Sequence, residues 1–388
     1  MVTITGAALT DFNRRKDGSS FRDWVHDAFQ DALKMSSLDR SDIDLLVVSS
    51  ESDFFTLQLN PSAVLASDLG LVGTATIRAE GGGASGQIAV HAAVNAIRAG
   101  QARHVAVVGY DPSASILSSK KIKELYGFSF DAWTDGMTGA SSTVLYALSA
   151  QQFMAEHSLT DRHLAAVTIA NRKNAFANLK AHLGLLHTEQ EIDASPMIAN
   201  PYRRLHCSPL SDGAAALIIS ESSAVPSYRA TAPWIKGIGG ASDHVRLGAR
   251  QIKGQFSAKT IAMARACSDA DLTPKDIGLV ELYDAYAGAH LQGLAALGLS
   301  ENIVKDIAEN TFGANGRIPV NLSGGLMGQG APAGAIGVGQ TAGCALFLEG
   351  RHWSTLQPQS PPPYALADTH GGLCTTAAIT ILARRDAP

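Results

Sequence analysis

The stretch Val320-Asn-Leu-Ser-Gly-Gly-Leu-Met-Gly-Gln-Gly-Ala-Pro-Ala-Gly-Ala-Ile-Gly-Val-Gly-Gln340 decides how the rest of the chain is read. Seven of its twenty-one residues are glycine. Glycine tolerates positive φ and lets the backbone approach a ligand or another segment closely. Because the run follows the apolar strand signal Ile318-Pro-Val320, it reads as a shaped loop that enters a tightly packed helix of small residues from Ala333 onward. A phosphate cradle is disfavoured, since there is no GxxxxGK[ST] and Gly328-Gln-Gly330 lacks the GxGxxG spacing. A purely structural glycine loop between strand and helix is the other reading of this stretch.

Upstream, strand and helix signals alternate. Val2 to Ala8 is β-rich. Ser20 is placed to cap a helix in which Phe21, Trp24, Val25, Ala28, Phe29 and Ala32 recur at helical spacing. Asp44–Ser49 and His104–Gly109 are apolar runs of strand length, as in a sheet covered on both faces. Between them, Gly81-Gly-Gly-Ala-Ser-Gly86 opens a helix of small residues to about position 100. The alternation points to a mostly parallel α/β sheet. Residues 112–210 read as an elaboration between two strands, and Asp212–Ser220 returns to the sheet. The polar connector at 221–230 reads as a boundary, giving an N-terminal half at 1–222 and a C-terminal half at 231–388.

The second half echoes the first. Leu38-x-x-x-Asp42-Ile43-x-Leu45 recurs as Leu272-x-x-x-Asp276-Ile277-x-Leu279, and Leu69-Gly70-Leu71 as Leu297-Gly298-Leu299. The glycine loop and small-residue helix at 81–100 recur at 323–345, and the closing strand at 212–220 recurs at 373–383. Four matches in one order indicate a duplicated unit.

With 388 residues, 46% hydrophobic and 17% charged, the chain can bury a large core. A net charge of −4 without a basic block argues against nucleic acid as a partner. No signal peptide or membrane-spanning run is read, so a cytoplasmic location is expected. Four scattered cysteines without a CxxC pair predict neither a metal site nor a disulfide framework.

The glycine stretch resembles thiolases, which carry Asn-x-x-Gly-Gly-x-x-x-x-Gly-His-Pro-x-Gly-Ala. Asn321, Gly324, Gly325, Gly330, Pro332, Gly334 and Ala335 fall in place, but Ala331 stands where the family has histidine. Leu164-Ala-x-Val167, Asn174-Ala175, Asn178-Leu-Lys-Ala181 and Cys207-Ser-Pro-Leu-Ser-Asp-Gly-Ala-Ala-Ala216 resemble the sterol-carrier-protein type, its lipid-transfer and aldolase-like branch. The resemblance implies a thiolase fold: two mixed five-stranded sheets in five layers, αβαβα. It further implies a homodimer and a coenzyme A thioester as substrate, with no bound cofactor.

Carried over position by position, the catalytic groups of the family are missing. Its nucleophilic cysteine falls on Gly83. Its Asn-Glu-Ala-Phe or His-Asp-Cys-Phe motif is Tyr283-Asp284-Ala285-Tyr286, and its late Cys-x-Gly-Gly is Thr369-His370-Gly371-Gly372. Removing a catalytic nucleophile costs roughly 10⁶ in rate, or about 8 kcal/mol, so ordinary thiolysis through a cysteine acyl-enzyme is not expected. Tyr283 is the first catalytic candidate, as a phenol passing a proton, or else a space-filler. His370 is either an acid/base or a hydrogen-bonded loop histidine. Asp284 is a catalytic carboxylate or an acceptor of backbone N–H groups. Ser85 is a nucleophile or a cap. Asn321, Gly325 and Gln329 are candidates for the thioester, and Arg172 and Lys173 for the CoA phosphates.

Three functions stay open at this level. One is a retro-aldol lyase acting on an acyl-CoA, aided, as the resemblance implies, by a small OB-fold or zinc-ribbon partner. The others are a non-catalytic thiolase-fold subunit and an acyltransferase with a non-cysteine site.

Overall fold

A computed structural model describes residues 1–15, 17–225, 229 and 231–387, apart from the side chains of 119 and 123. Part of the expected connector at 221–230, namely 226–228 and 230, lies outside the described residues. The strands are β1 (Val2–Leu9), β2 (Leu45–Ser49), β3 (Ala75–Ala79), β4 (His104–Pro112), β5 (Met197–Ala199), β6 (Tyr202–Arg203), β7 (Asp212–Glu221), β8 (Trp234–Ser242), β9 (Leu279–Glu281), β10 (Tyr364–Gly371) and β11 (Thr376–Ala383). All but the β5–β6 hairpin join one mixed sheet in the order β3-β2-β4-β7-β1-β8-β11-β10-β9.

The first half supplies five strands, as the resemblance implies. The second supplies four, with a one-residue parallel bridge from Val280 to Val320 at the fifth position. Pro319 has no N–H to extend that bridge, and Asn321 turns the chain away at φ +54°, so the strand signal at 318–320 ends there. The halves are not two separate sheets. They meet where β1 pairs antiparallel with β8 through Val2 with Ile235 and Thr3 with Trp234.

Helices complete the layers. Phe21–Ser36 covers β1, β4 and β7 on the outer face of the first half, and Ser257–Ala270 covers β8 and β11 on that of the second. Ser20 caps the first of these helices in a reciprocal capping box with Asp23. Ser85–Arg98 and Ala333–Leu348 fill the layer between the halves. Every residue of Ala333–Leu348 is buried. A Cβ on Gly86 would lie 2.7 Å from Val338 N, so these two helices touch backbone to backbone. The small residues noted in sequence are therefore what makes a central helical layer possible.

The internal duplication extends to local structure. Arg40–Asp42 and Pro274–Asp276 are both single 3₁₀ turns held by capping boxes that lead into β2 and β9. Gly70 and Gly298 both take positive φ, +69° and +66°, directly after a helix. Residues between β4 and β7 form the expected elaboration, with helices Ser142–Glu156 and Asp161–Phe176 packed over Ala287–Ala296. Among the described residues, no helix is long and apolar enough to cross a membrane.

Candidate active site

The site lies where β9, β10 and the helix opening at Ser85 converge. Leaving β9, the chain passes Leu282 and places Tyr283 buried, 8% exposed, against Gly83. A Cβ on Gly83 would fall 2.2 Å from Tyr283 Oη and 2.5 Å from the His370 carbonyl oxygen, so any side chain at 83 collides with the phenol. The Tyr283 N–H donates to Asp368 Oδ2 at 3.2 Å, and Asp368 in turn pairs with Lys259 at 2.6 Å, both fully buried. Burial, reinforced by the charge of Glu51, raises the phenol well above its ordinary pKa. Tyr283 is therefore a neutral hydroxyl at neutral pH.

His370 is on β10 with its ring centroid 4.5 Å from that of Tyr283. Tyr146 donates its hydroxyl proton to the Gly372 carbonyl, so the His370 Nε2 contact at 2.9 Å is donation from the imidazole N–H to Tyr146. Nδ1 then carries a lone pair, and this buried atom has no hydrogen-bond partner. Burial, with Lys259 and Arg250 nearby, holds the imidazole well below its ordinary pKa. Tyr202, Tyr286 and Tyr146 continue the aromatic wall, with ring centroids 5.2 Å and 4.6 Å apart in turn.

The other candidates separate by their bonds. Both oxygens of fully buried Asp284 are engaged, Oδ1 by Leu326 N at 2.7 Å and Oδ2 by the Asn171 amide and by His290 Nδ1 at 3.3 Å. It pins the glycine loop. Gly325 packs so closely that a Cβ there would meet Asp284 Oδ1 at 2.6 Å, and its φ is +58°. Ser85 Oγ accepts from Gly81 N at 2.9 Å and donates to Gly82 O at 2.6 Å, tying the turn that opens its helix. Asn321 Oδ1 accepts from Leu282 N at 2.6 Å, and the Gln329 carbonyl from His182 N at 2.9 Å. On Asp161–Phe176, Arg172 is 2% exposed while Lys173 is exposed. Thus Tyr283 and His370 come together beside the turn held by Ser85. Asp284, Asn321 and Gly325 form a second, bracing group.

Comparisons with known proteins give the family. Residues 2–185 match the thiolase N-terminal domain, and residues 239–384 the thiolase C-terminal domain-like family. An acetyl-CoA acetyltransferase of Methanothermobacter thermautotrophicus is 30% identical over 386 residues, covering 99% of each chain. The chain belongs to the thiolase superfamily, on its sterol-carrier-protein-like branch. A 17-hydroxy-3-oxo-4-pregnene-20-carboxyl-CoA lyase of Mycobacterium tuberculosis is 26% identical, covering 87% of this chain and 90% of that one. In fold, the Ltp2-ChsH2(DUF35) aldolase superposes with a TM-score of 0.84 at 24% identity, over 99% of this chain and 98% of that one.

In this member of the thiolase superfamily the tyrosine hydroxyl lies where a side chain at position 83 would project. Sequence reasoning missed several groups around it. Tyr146, the partner of His370, comes from the elaboration and carries no local motif. Lys259 and Asp368 are distant in sequence. Glu51 and Asp111 were legible in principle, because Glu51 lies two residues past β2 and Asp111 is the penultimate residue of β4, at the C-terminal ends that face the ligand side in α/β sheets. Asp111 Oδ2 accepts from Gly334 N and from Glu51 N at 3.3 Å. Burial pushes both carboxyls up, and the Asp111 charge pushes Glu51 further.

Proposed function

We propose that the chain is a carbon–carbon lyase that cleaves a β-hydroxyacyl-CoA in retro-aldol fashion without a cysteine acyl-enzyme. The observation that carries this reading is the occupation of the space beside Gly83 by the Tyr283 hydroxyl. Retro-aldol cleavage removes a proton from the β-hydroxyl, releases a carbonyl product and leaves an acyl-CoA enolate that is then protonated. It needs a proton carrier and no thiolate. Tyr283 is that carrier. As a neutral phenol it takes the substrate proton only while passing its own onward, and the acceptor we propose is His370, whose ring centroid is 4.5 Å from that of Tyr283 and whose Nδ1 is unpartnered. Asn321, Gly325 and Gln329 shape the thioester pocket, and exposed Lys173 is offered to the CoA phosphates.

The lyase among the relatives supports the reading. By the same token we propose a homodimer and, because the aldolase neighbour has two components, Ltp2 and ChsH2(DUF35), a small OB-fold partner. Turnover of a synthetic β-hydroxyacyl-CoA, followed by mass spectrometry of the acyl-CoA product, tests it. Tyr283→Phe is expected to lower the rate by about 10²–10⁴-fold without unfolding the chain. An unchanged rate overturns the proposal.

The 30% identical acetyltransferase favours acyl transfer as a second reading. A covalent acyl adduct after mixing with acetyl-CoA would establish it in place of the first.

A further inference from the structure

Arg172 is out of balance with its surroundings. Its side chain is almost wholly buried, Nε has no hydrogen-bond partner, and among the described residues the guanidinium meets no carboxylate. An unpaired charge of this kind is costly unless an anion reaches it. It stands within charge range of Asp284, Cys207 and His182.

The acidic groups there are already committed. Asp284 is held by Leu326, Asn171 and His290. Asp212, which faces His182, accepts from Ala114 N and Ser115 N on one oxygen and from Arg15 N and Ser115 Oγ on the other. His182 adds an imidazole to the same region. Its Nδ1 lies 2.8 Å from Ser211 Oγ, which already accepts from Ala331 N at 3.1 Å. A hydroxyl oxygen can accept twice, so either partner can supply the proton of this contact, and the second ring nitrogen, Nε2, is left to meet a ligand. Burial keeps this imidazole below its ordinary pKa, so it is neutral. What stands out is the Arg172 charge, buried with Nε unpartnered and no carboxylate paired with it among the described residues.

The same residues fix its place. Segment 207–211 bridges to Tyr286 through Cys207 and to Ala331 through Leu210, and Ser208 N donates to Ala285 O. The buried Arg172 and the half-buried His182 thus back onto the motif after Tyr283.

We propose that Arg172 and His182 form an oxyanion subsite that receives a carboxylate on the acyl group, so that the substrate is an acyl-CoA with a second, free carboxylate. This rests on the CoA-thioester reading above. Calorimetric titration of the intact chain with succinyl-CoA, butyryl-CoA and CoA tests it, since the two esters match in carbon count and differ in the terminal carboxylate.

Succinyl-CoA is expected to bind about tenfold to a hundredfold more tightly than butyryl-CoA, the range of a hydrogen bond between charged groups. Arg172→Gln is expected to erase that ratio while leaving butyryl-CoA and CoA unchanged, and Arg172→Lys to retain part of it. Equal binding of the two esters by the wild-type chain overturns the proposal without any variant. So does an Arg172→Gln loss shared equally by all three ligands, which would place a CoA phosphate on the guanidinium. Failure of every ester to bind overturns the CoA reading along with it, whereas the lyase step is judged separately by Tyr283→Phe turnover.

Discussion

Gly83 and Tyr283 are interlocked, since the absence of a side chain at one makes room for the hydroxyl of the other. Gly83→Ala forces the phenol or the β10 backbone aside. It should destabilise by about 1–3 kcal/mol, as overpacking does, and also depress cleavage, read from urea midpoints and from turnover together. A variant with wild-type stability and rate would mean that the two residues are not in contact. The glycine was legible in the sequence as a missing cysteine, but its reason was not, because the tyrosine that fills the space lies two hundred positions away. Lys259 was invisible in the same way. Lys259→Met leaves Asp368 in the core beneath Tyr283 without its cation and should cost about 3–5 kcal/mol. Urea denaturation of that variant, alone and with Asp368→Leu, should show most of the loss recovered in the pair.

Among the elements, β2 and β4 deliver the two acids that flank the site. Their raised pKa values favour protonated carboxyls in the folded chain. Between the ordinary carboxylate range and about 8, the folded state therefore holds more protons than the unfolded one, and stability falls as pH rises through that window. The urea midpoint should drop from pH 5 to pH 8, and Glu51→Gln should flatten the drop. An unchanged profile in the variant would show that Glu51 is ionised throughout. Strands, glycine loops and small-residue helices were readable because each imposes a local pattern, and the duplication made them readable twice. The fifth strand of the second half was not, because Ile318-Pro-Val320 has strand composition but hands over at once to Asn321 at positive φ.

Across the whole molecule, β3 is an edge strand whose Ala75, Thr76 and Ile77 are exposed, Ile77 at 42%. An open edge invites pairing with another strand, in line with the homodimer we propose. Ile77→Lys should turn a dimer into a monomer in light scattering coupled to gel filtration; a wild-type monomer would remove the basis of that proposal. At the other extreme, β1 lies in the interior of the nine-stranded sheet between β7 and β8. Neither neighbour exists when it is made, since β7 begins at Asp212 and β8 at Trp234. At ribosomal speeds of about 5–20 residues per second, this apolar strand waits roughly 10–40 s for its first mate. Nascent chains thus pass through a long interval with this mostly apolar ribbon unmatched and open to wrong partners until the joined sheet forms.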